Sequence, residues 1–271
     1  MEKILKLKDK IDLLKKILLK YKKILMAYSG GVDSSLLLKV TVDVLGSKSI
    51  IAVTADSPIY TLNELENAKS ITKELKVKHI IIKNGVFNNK NFIINTKNRC
   101  YYCKKEVFKK LKDIKDKYQC DVIMDGSNYD DLSDFRPGNK AEKEYKILTP
   151  LKDSLFTKKD IREYSKQLGL KTYNYPAIAC LASRIPYDEK ITKKKIKMIN
   201  DGENFLSKYG FKNIRLRTSN KTARIEVDKK DIIKIIKNSD EIIKKLKLLG
   251  YLYITVDLQG FRSGSMNETL K

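Results

Sequence analysis

Apolar residues recur at Ile4, Leu7, Ile11, Leu14 and Leu18 with lysines between them, which predicts an amphipathic helix over residues 1–23. Residues 24–28, Ile-Leu-Met-Ala-Tyr, form a short apolar run of strand type that meets Ser29-Gly30-Gly31. Helical spacing returns from Ser35 to Leu45 and stops at Gly46. The alternation continues with a strand over 50–54, a helix over 62–75, a strand over 79–83, a helix over 104–117 and a strand over 120–124. A polar, asparagine-rich stretch runs to Arg99. Strands alternating with helices at this spacing predict a parallel sheet covered on both faces. Ligands of such sheets lie beyond the carboxyl ends of the strands. Three polar clusters, at 29–35, 55–57 and 125–131, fall there.

The pattern changes after Pro150. A helix near 157–168 and an irregular stretch to Pro186 are followed, from about Thr192, by a helix, strands over 213–217 and 223–228, a helix over 229–248 and a strand over 251–257. The expected fold is therefore α/β, with a parallel-sheet domain over residues 1–178 and a smaller C-terminal α+β domain over 179–271 for substrate binding or oligomerisation.

Composition changes this picture little. A chain of 271 residues can bury one full core and a smaller second one. No apolar run approaches the ~18 residues of a membrane span, and the N-terminal stretch has spaced apolar residues and no cleavage site of a signal peptide. The expectation is a cytoplasmic protein with no membrane partner. The formal charge of +24 raises nucleic-acid binding. Only 8 of the 57 basic residues are arginine, however, and the lysines are spread over predicted helices. A phosphate-gripping surface more often clusters the planar guanidinium fork, so nucleic acid is not the expected partner.

The candidate chemistry begins at Ser29-Gly30-Gly31-Val32-Asp33-Ser34-Ser35. A glycine-rich turn between strand and helix directs successive N–H groups at one point, where the helix dipole also favours an anion. Gly30 and Gly31 permit the turn, and Ser29, Ser34 and Ser35 add hydroxyls. The Gly-Lys-Ser/Thr ending of a P-loop is missing. The pattern instead resembles the PP-loop of the N-type ATP pyrophosphatases, whose domain is of the adenine nucleotide alpha hydrolase-like type. That resemblance implies ATP cleaved between its α- and β-phosphates, substrate adenylated and pyrophosphate held by the loop. Asp33 is placed either to hold Mg²⁺ or to fix the loop. Asp125, beside Gly126, and Asp130 or Asp131 are further Mg²⁺ candidates, as hard oxygen ligands suit that ion; capping and solvated loop charge are the alternative. Asp56 and Ser57 stand where PP-loop proteins hold the adenosine.

Four cysteines bear on what the adenylate is used for. Cys120 opens a predicted strand and reads as core. Cys100-Tyr-Tyr-Cys103 together with Cys180 gives three thiolates. Structural zinc takes four ligands, and the single histidine, His79, lies on a predicted strand as a structural residue. Three thiolates suit a [4Fe–4S] cluster with one iron left open; a redox dithiol, or no ligand, is the other reading of the pair.

Around these residues stand Ala-Asp-Ser-Pro-Ile-Tyr (55–60), Arg-Cys-Tyr-Tyr-Cys-Lys-Lys-Glu (99–106) and Asp-Gly-Ser-Asn-Tyr-Asp-Asp (125–131). Phe-Arg-Pro-Gly (135–138), Ala-Cys-Leu-Ala-Ser-Arg-Ile-Pro-Tyr (179–187) and Asp-Leu-Gln-Gly-Phe-Arg-Ser-Gly (257–264) follow. In this order the series resembles the LarE family over nearly the whole chain. The resemblance implies conversion of pyridinium-3,5-biscarboxylic acid mononucleotide to its bisthiocarboxylic form, towards a nickel-pincer nucleotide, and an assembly of several copies. It implies either a sacrificial sulfur from Cys180 or a sulfide carried on a [4Fe–4S] cluster at Cys100, Cys103 and Cys180. Ser183 and Arg184 follow the catalytic cysteine. Arg215 and Arg217, two apart on a predicted strand, share one face and are placed to clamp a phosphate or carboxylate, or else line a solvated strand face. Glu203 matches a polar position near the family's site, and Arg262 lies in the C-terminal motif without an assigned role. The rival readings are a PP-loop tRNA thiolase, an amidotransferase-type synthetase, and a nucleotide-binding module without catalysis.

Overall fold

A computed structural model describes residues 5–132, 136–175, 179–262 and 264–270. Ile4, Phe135, Ser263 and the expected domain limit at 178 lie outside the described residues. The chain divides into two compact units. The first comprises Met1–Ser57, Leu62–Val86 and Cys100–Ala177, and the second Pro58–Thr61, Phe87–Arg99 and Ile178–Lys271.

In the first unit, α1 (Leu7–Leu18) leads to β1 (Ile24–Ala27), α2 (Val32–Leu45), β2 (Ile50–Asp56), α3 (Leu62–Glu74) and β3 (Lys78–Lys83). Then come α4 (Arg99–Lys117), β4 (Val122–Met124), α5 (Gly138–Glu144) and α6 (Lys158–Gln167). The four strands are parallel in the order β3-β2-β1-β4, with Ile24 beside both Ile50 and Val122. Alternation along β1 sends Ile24 and Met26 to one core, with Leu14, Leu18, Leu36, Leu37, Phe156 and Ile161. Leu25 joins the other core, with Ile51, Val53, Phe108, Leu111 and Ile123. Both faces are thus covered by helices, as the near-continuous apolar strands require. Among the described residues no helix is long and apolar enough to cross a membrane.

The strand order reverses between β1 and β4, and a crevice opens beyond their carboxyl ends at such a reversal. The chain can turn tightly there because of Gly30, at φ +75°. A Cβ on Gly30 would lie 2.8 Å from the Glu64 carbonyl oxygen and 2.9 Å from the Ala68 nitrogen, both backbone atoms of α3. His79 on β3 is structural. Its Nε2 lies 2.7 Å from Thr54 Oγ1 and its Nδ1 3.1 Å from Thr72 Oγ1; burial, and then Lys69, pushes its pKa down. Cys120 is buried, although the strand starts two residues later than expected.

The second unit holds α7 (Lys193–Ser207), β5 (Ile214–Ser219), β6 (Thr222–Val227), α8 (Ile232–Lys237), α9 (Ser239–Leu248) and β7 (Tyr253–Val256). β5 and β6 form an antiparallel hairpin, and β6 pairs parallel with β7. Their core contains Leu206, Leu216, Ile225, Val227, Ile242, Leu246 and Tyr251. α7 comes close to β5 at Gly202, where a Cβ would meet Leu216 Cδ2 at 2.3 Å. Two early segments belong to this unit. Leu181 N–H donates to Ile59 O at 2.8 Å, and Ile191 N–H to Ile93 O at 2.9 Å.

Two local expectations are corrected. The helix expected over 229–248 is two helices meeting at Asn238, whose side-chain amide bonds the Lys234 carbonyl at 2.7 Å and competes with the helical ladder. The helix expected over 104–117 starts at Arg99, so Cys100 and Cys103 stand in its first turns. The asparagine-rich stretch is ordered around Asn95. This fully buried residue donates to Pro186 O at 2.6 Å and Glu189 O at 3.0 Å and accepts from Arg99 Nη1 at 2.7 Å.

Replacing Gly30 by Ala adds a positive-φ penalty to a backbone clash. The expected loss is about 2 kcal/mol or more of unfolding free energy, read from urea titrations followed by circular dichroism.

Candidate active site

The loop after β1 is tied together by its own hydroxyls. Ser29 Oγ lies 3.0 Å from Ser34 Oγ and accepts from Gly31 N–H at 3.3 Å, while Ser34 Oγ donates to Gly31 O at 3.2 Å. Gly31 is the N-cap of α2, so the first N–H groups of that helix open at the loop, the geometry that suits an anion. Ser35 is different: it is fully buried, with its Oγ 3.2 Å from Tyr28 Oη, whose pKa burial pushes up to about 12.

The loop after β4 closes on this one. A Cβ at Gly126 would lie 3.0 Å from Ser34 N. Asn128 Nδ2 donates to Asp33 Oδ2 at 3.1 Å, and Lys158 Nζ lies 2.5 and 2.7 Å from the two Asp33 oxygens. Asp130 accepts from the Lys158 N–H at 2.7 Å. Asp131 is buried between Asn128 N–H at 3.0 Å and Arg136 at 2.9 Å. Burial pushes its carboxyl up, against the pull of Arg136.

Behind Gly126 lies a buried ion network. Asp125 accepts from Ser127 N–H at 3.0 Å and from Lys104 Nζ at 3.2 Å. Lys104 also bonds Glu142, which takes Lys152 at 3.0 Å and Ser127 Oγ at 2.8 Å as well. Burial alone would raise the Glu142 carboxyl; Lys104, Lys152 and Ser127 together outweigh it and hold the pKa down at about 2. At the neighbouring strand end Asp56 is exposed, while Ser57 Oγ is buried without a hydrogen-bond partner among the described residues.

Cys100 and Cys103 are three apart on α4, hence on one helical face near its N-terminus, where the dipole favours thiolate. Asn84 Nδ2 donates to Cys103 Sγ at 3.7 Å. This pair fits two soft ligands of an iron–sulfur cluster by donor type and spacing. Cys180 belongs to the second unit. Among the described residues no three His, Cys, Asp or Glu side chains are gathered to hold a metal ion.

Cys180 caps a short helical turn, Leu181–Arg184. Ser183 donates to Cys180 O through its N–H at 2.9 Å and its Oγ at 2.8 Å. Arg184 is buried, with Nε and Nη2 on the two Glu203 oxygens at 2.8 and 3.0 Å. Its Nη1 reaches Ala179 O at 2.7 Å and Cys180 O at 3.3 Å. The guanidinium thus holds the backbone that carries Cys180. Arg217 Nε meets both Glu226 oxygens at 3.0 Å, and its Nη1 donates to Ser183 O at 2.6 Å. Arg215 stacks on Phe261, 5.1 Å from the ring centre; burial, and then Arg184, lowers its pKa to about 10. Arg184, Arg217 and Arg224 line a cavity of about 280 Å³ with Ser219, Thr222 and Thr255.

The NAD synthase family model matches residues 6–101, which carry the phosphate loop. The pyridinium-3,5-bisthiocarboxylic acid mononucleotide synthase of Lactiplantibacillus plantarum is 35% identical over 92% of this chain and 90% of its own. The chain belongs to the LarE family. Uncharacterized proteins of Synechocystis and Methanocaldococcus jannaschii are 36% and 37% identical, each over 97% of the chain.

The residues expected for a LarE site fall into two groups, one per unit. Ser29, Gly30, Gly31, Asp33, Ser34, Asp125 and Gly126 come together at the carboxyl ends of β1 and β4. Cys180, Ser183, Arg184, Glu203 and Arg217 form one hydrogen-bonded group in the second unit. Ser35 does not join the loop mouth, and Arg262 pairs with Glu268 at 3.1 Å. Sequence reasoning missed Asn128, Lys158, Lys104, Glu142 and Arg224. Lys104 was legible in principle as the residue following Cys103, and Arg224 as the cross-strand partner of Arg217; Lys158 and Glu142 carry no local signal.

Glu142, with a folded pKa of about 2 against an ordinary 4.5, stabilises the fold above pH 4.5 and loses that contribution as the pH falls towards 2. Glu142→Gln is therefore expected to be less stable than wild type at pH 7, with a gap that closes on acidification, in urea midpoints taken at several pH values. Glu203→Ala leaves the buried Arg184 charge unpaired. It is expected to cost about 3–5 kcal/mol by the same titration, with Glu203→Gln costing less.

Proposed function

We propose that this chain is an ATP-dependent sulfurtransferase that forms AMP and pyrophosphate and acts on the carboxylates of pyridinium-3,5-biscarboxylic acid mononucleotide. The observation that carries the reading is the combination of LarE membership over 92% of the chain with a phosphate loop capped by Gly31. In this reading Ser29, Gly30, Gly31 and Ser34 hold the pyrophosphate, and Asp33, with Asp125, Asp130 or Asp131, serves Mg²⁺. Asp56 and Ser57 face the adenosine, and the buried Ser57 hydroxyl, without a partner among the described residues, is the support for that assignment. Arg215 and Arg217 take the substrate's phosphate or carboxylate, with Arg224 beside them. Arg184 and Ser183 act on Cys180 through its carbonyl, as positioning groups.

Adenylation makes a carboxylate oxygen a leaving group as AMP. In the sacrificial route the Cys180 sulfur bonds the acyl carbon as AMP departs. The Cβ–S bond then breaks, its electrons leaving with sulfur as the Cα proton is lost, and dehydroalanine remains. In the second route Cys100, Cys103 and Cys180 would hold a [4Fe–4S] cluster, which would offer an open iron to an external sulfide and leave the protein's own sulfur in place. The three cysteines favour the second route.

The test incubates anaerobically reconstituted protein with ATP, Mg²⁺, sulfide and the pyridinium dicarboxylate mononucleotide. Pyrophosphate release, iron and sulfide content, and the masses of product and protein are followed. Thiocarboxylate product with unchanged protein mass is expected, and Cys100→Ala is expected to lose iron and sulfide-dependent turnover. Protein lighter by one sulfur and two hydrogens would establish the sacrificial route. Absence of pyrophosphate release would sink the function. The charge of +24 is the one observation favouring a tRNA thiolase; tight, salt-sensitive tRNA binding would select that rival.

A further inference from the structure

We propose that Asn84 is a positioning residue for the cysteine pair, its buried side-chain amide holding the Cys103 sulfur for a soft metal centre. The inference rests on reading Cys100 and Cys103 as metal ligands and extends that reading to a residue outside every cysteine motif.

Asn84 directly follows β3, and its backbone is fixed there. Its N–H donates to Asp56 O at 2.8 Å, which continues the β2–β3 pairing one step past Lys83. Lys110 Nζ of α4 donates to Lys83 O at 2.6 Å, so the end of β3 is tied to the helix that carries the cysteines. Ile80 and Ile82 of β3 share one core with Val107, Phe108 and Leu111 of α4. Strand end and helix are therefore packed as one piece. The bond from Asn84 Nδ2 to Cys103 Sγ, at 3.7 Å, joins them at the cysteine turn.

An amide is a costly choice at this position. Asn84 is 9% exposed, and its Oδ1 is buried with no hydrogen-bond partner among the described residues. A buried amide oxygen left unmet is destabilising, and an apolar residue of the same size would remove the penalty. What the asparagine supplies in return is an N–H aimed at sulfur. The two cysteines also differ in setting, Cys100 being exposed and Cys103 half-buried. A metal-bound sulfur carries residual negative charge, and an N–H donated to it stabilises the bound form. Outer-shell donors of this kind change metal affinity about 10–100-fold. N–H groups on the sulfurs of an iron–sulfur centre also raise its reduction potential. An asparagine with a packing role alone would do neither.

The test uses the full-length, reduced protein under anaerobic conditions and needs no pyridinium substrate. Cd²⁺ alone is titrated and followed by thiolate-to-cadmium absorption, and the protection of each cysteine from iodoacetamide is mapped by mass spectrometry. Wild-type protein is expected to bind Cd²⁺ with Cys103 protected. Asn84→Leu is expected to weaken Cd²⁺ by about tenfold or more, with a urea midpoint close to that of wild type. Asn84→Gln, which keeps an amide, should recover part of the affinity. In reconstituted protein the midpoint potential of the iron–sulfur signal, read by electron paramagnetic resonance, should be lower in Asn84→Leu. Wild-type Cd²⁺ affinity in folded Asn84→Leu overturns the proposal. So does Cd²⁺ bound by wild-type protein with Cys103 left open to iodoacetamide, a result independent of whether any variant folds. Asn84-dependent Cd²⁺ binding in protein that assembles no iron–sulfur cluster refutes the cluster route and leaves this inference standing. A cluster that forms with the same potential in both proteins, and with Cd²⁺ affinity unchanged, refutes this inference alone; protein that binds neither Cd²⁺ nor a cluster refutes both.

Discussion

Close approach of backbone to backbone at the carboxyl edge of the four-stranded sheet is the constraint on which the nucleotide loop depends. Gly30 lies against the backbone of α3, and Gly126 against the first turn of α2. A Cβ would clash at Gly30 and crowd the neighbouring backbone at Gly126, and Gly30 also needs a positive φ. Through these two contacts the loops after β1 and β4 share one wall. The N–H groups of α2 and the carboxylates of the β4 loop are thereby presented to the same volume.

With the loops so close, charge becomes the second problem. Asp33, Asp125, Asp130 and Asp131 are carried into a small, partly desolvated region, where unpaired carboxylates are costly. The chain answers with Lys104, Lys152, Lys158 and Arg136, drawn from separate elements. Lys104 and Lys152 converge on buried Glu142 and form a fixed floor. Lys158, at the more exposed side, pairs with Asp33. The second unit solves the same problem around Cys180: Arg184 and Glu203 form a buried fork that also satisfies the Leu216 N–H, at 2.9 Å. Cys180 therefore sits on backbone held by the Arg184–Glu203 pair, a firmer support than a surface loop gives itself.

The lysine excess takes a different meaning once the partners are known. Lys10 with Asp160, Lys39 with Asp43, Lys195 with Glu189 and Lys197 with Asp201 are pairs spread over both units. They account for a share of the basic residues.

The sequence by itself determined the parallel α/β core, the phosphate loop and the cysteine motif, because each is written in local terms. Apolar runs of four to seven residues between helical patterns leave one sheet type, and Ser-Gly-Gly after a strand leaves one use for the turn. Local signals also misled where they were weak. Cys-Tyr-Tyr-Cys has no apolar period, so its helical start was hidden until Tyr101 and Lys105 were seen bonded to Glu144, each at 2.7 Å. Only the tertiary structure decided which charges meet. Lys158 and Asp33 are 125 positions apart, and nothing in either neighbourhood names the other. Ser35 was expected to face the loop with Ser29 and Ser34, yet the helical turn directs it to Tyr28 and into the core. Periodicity fixes what a residue does within its element; the partner across a fold is set by packing, which no local pattern encodes.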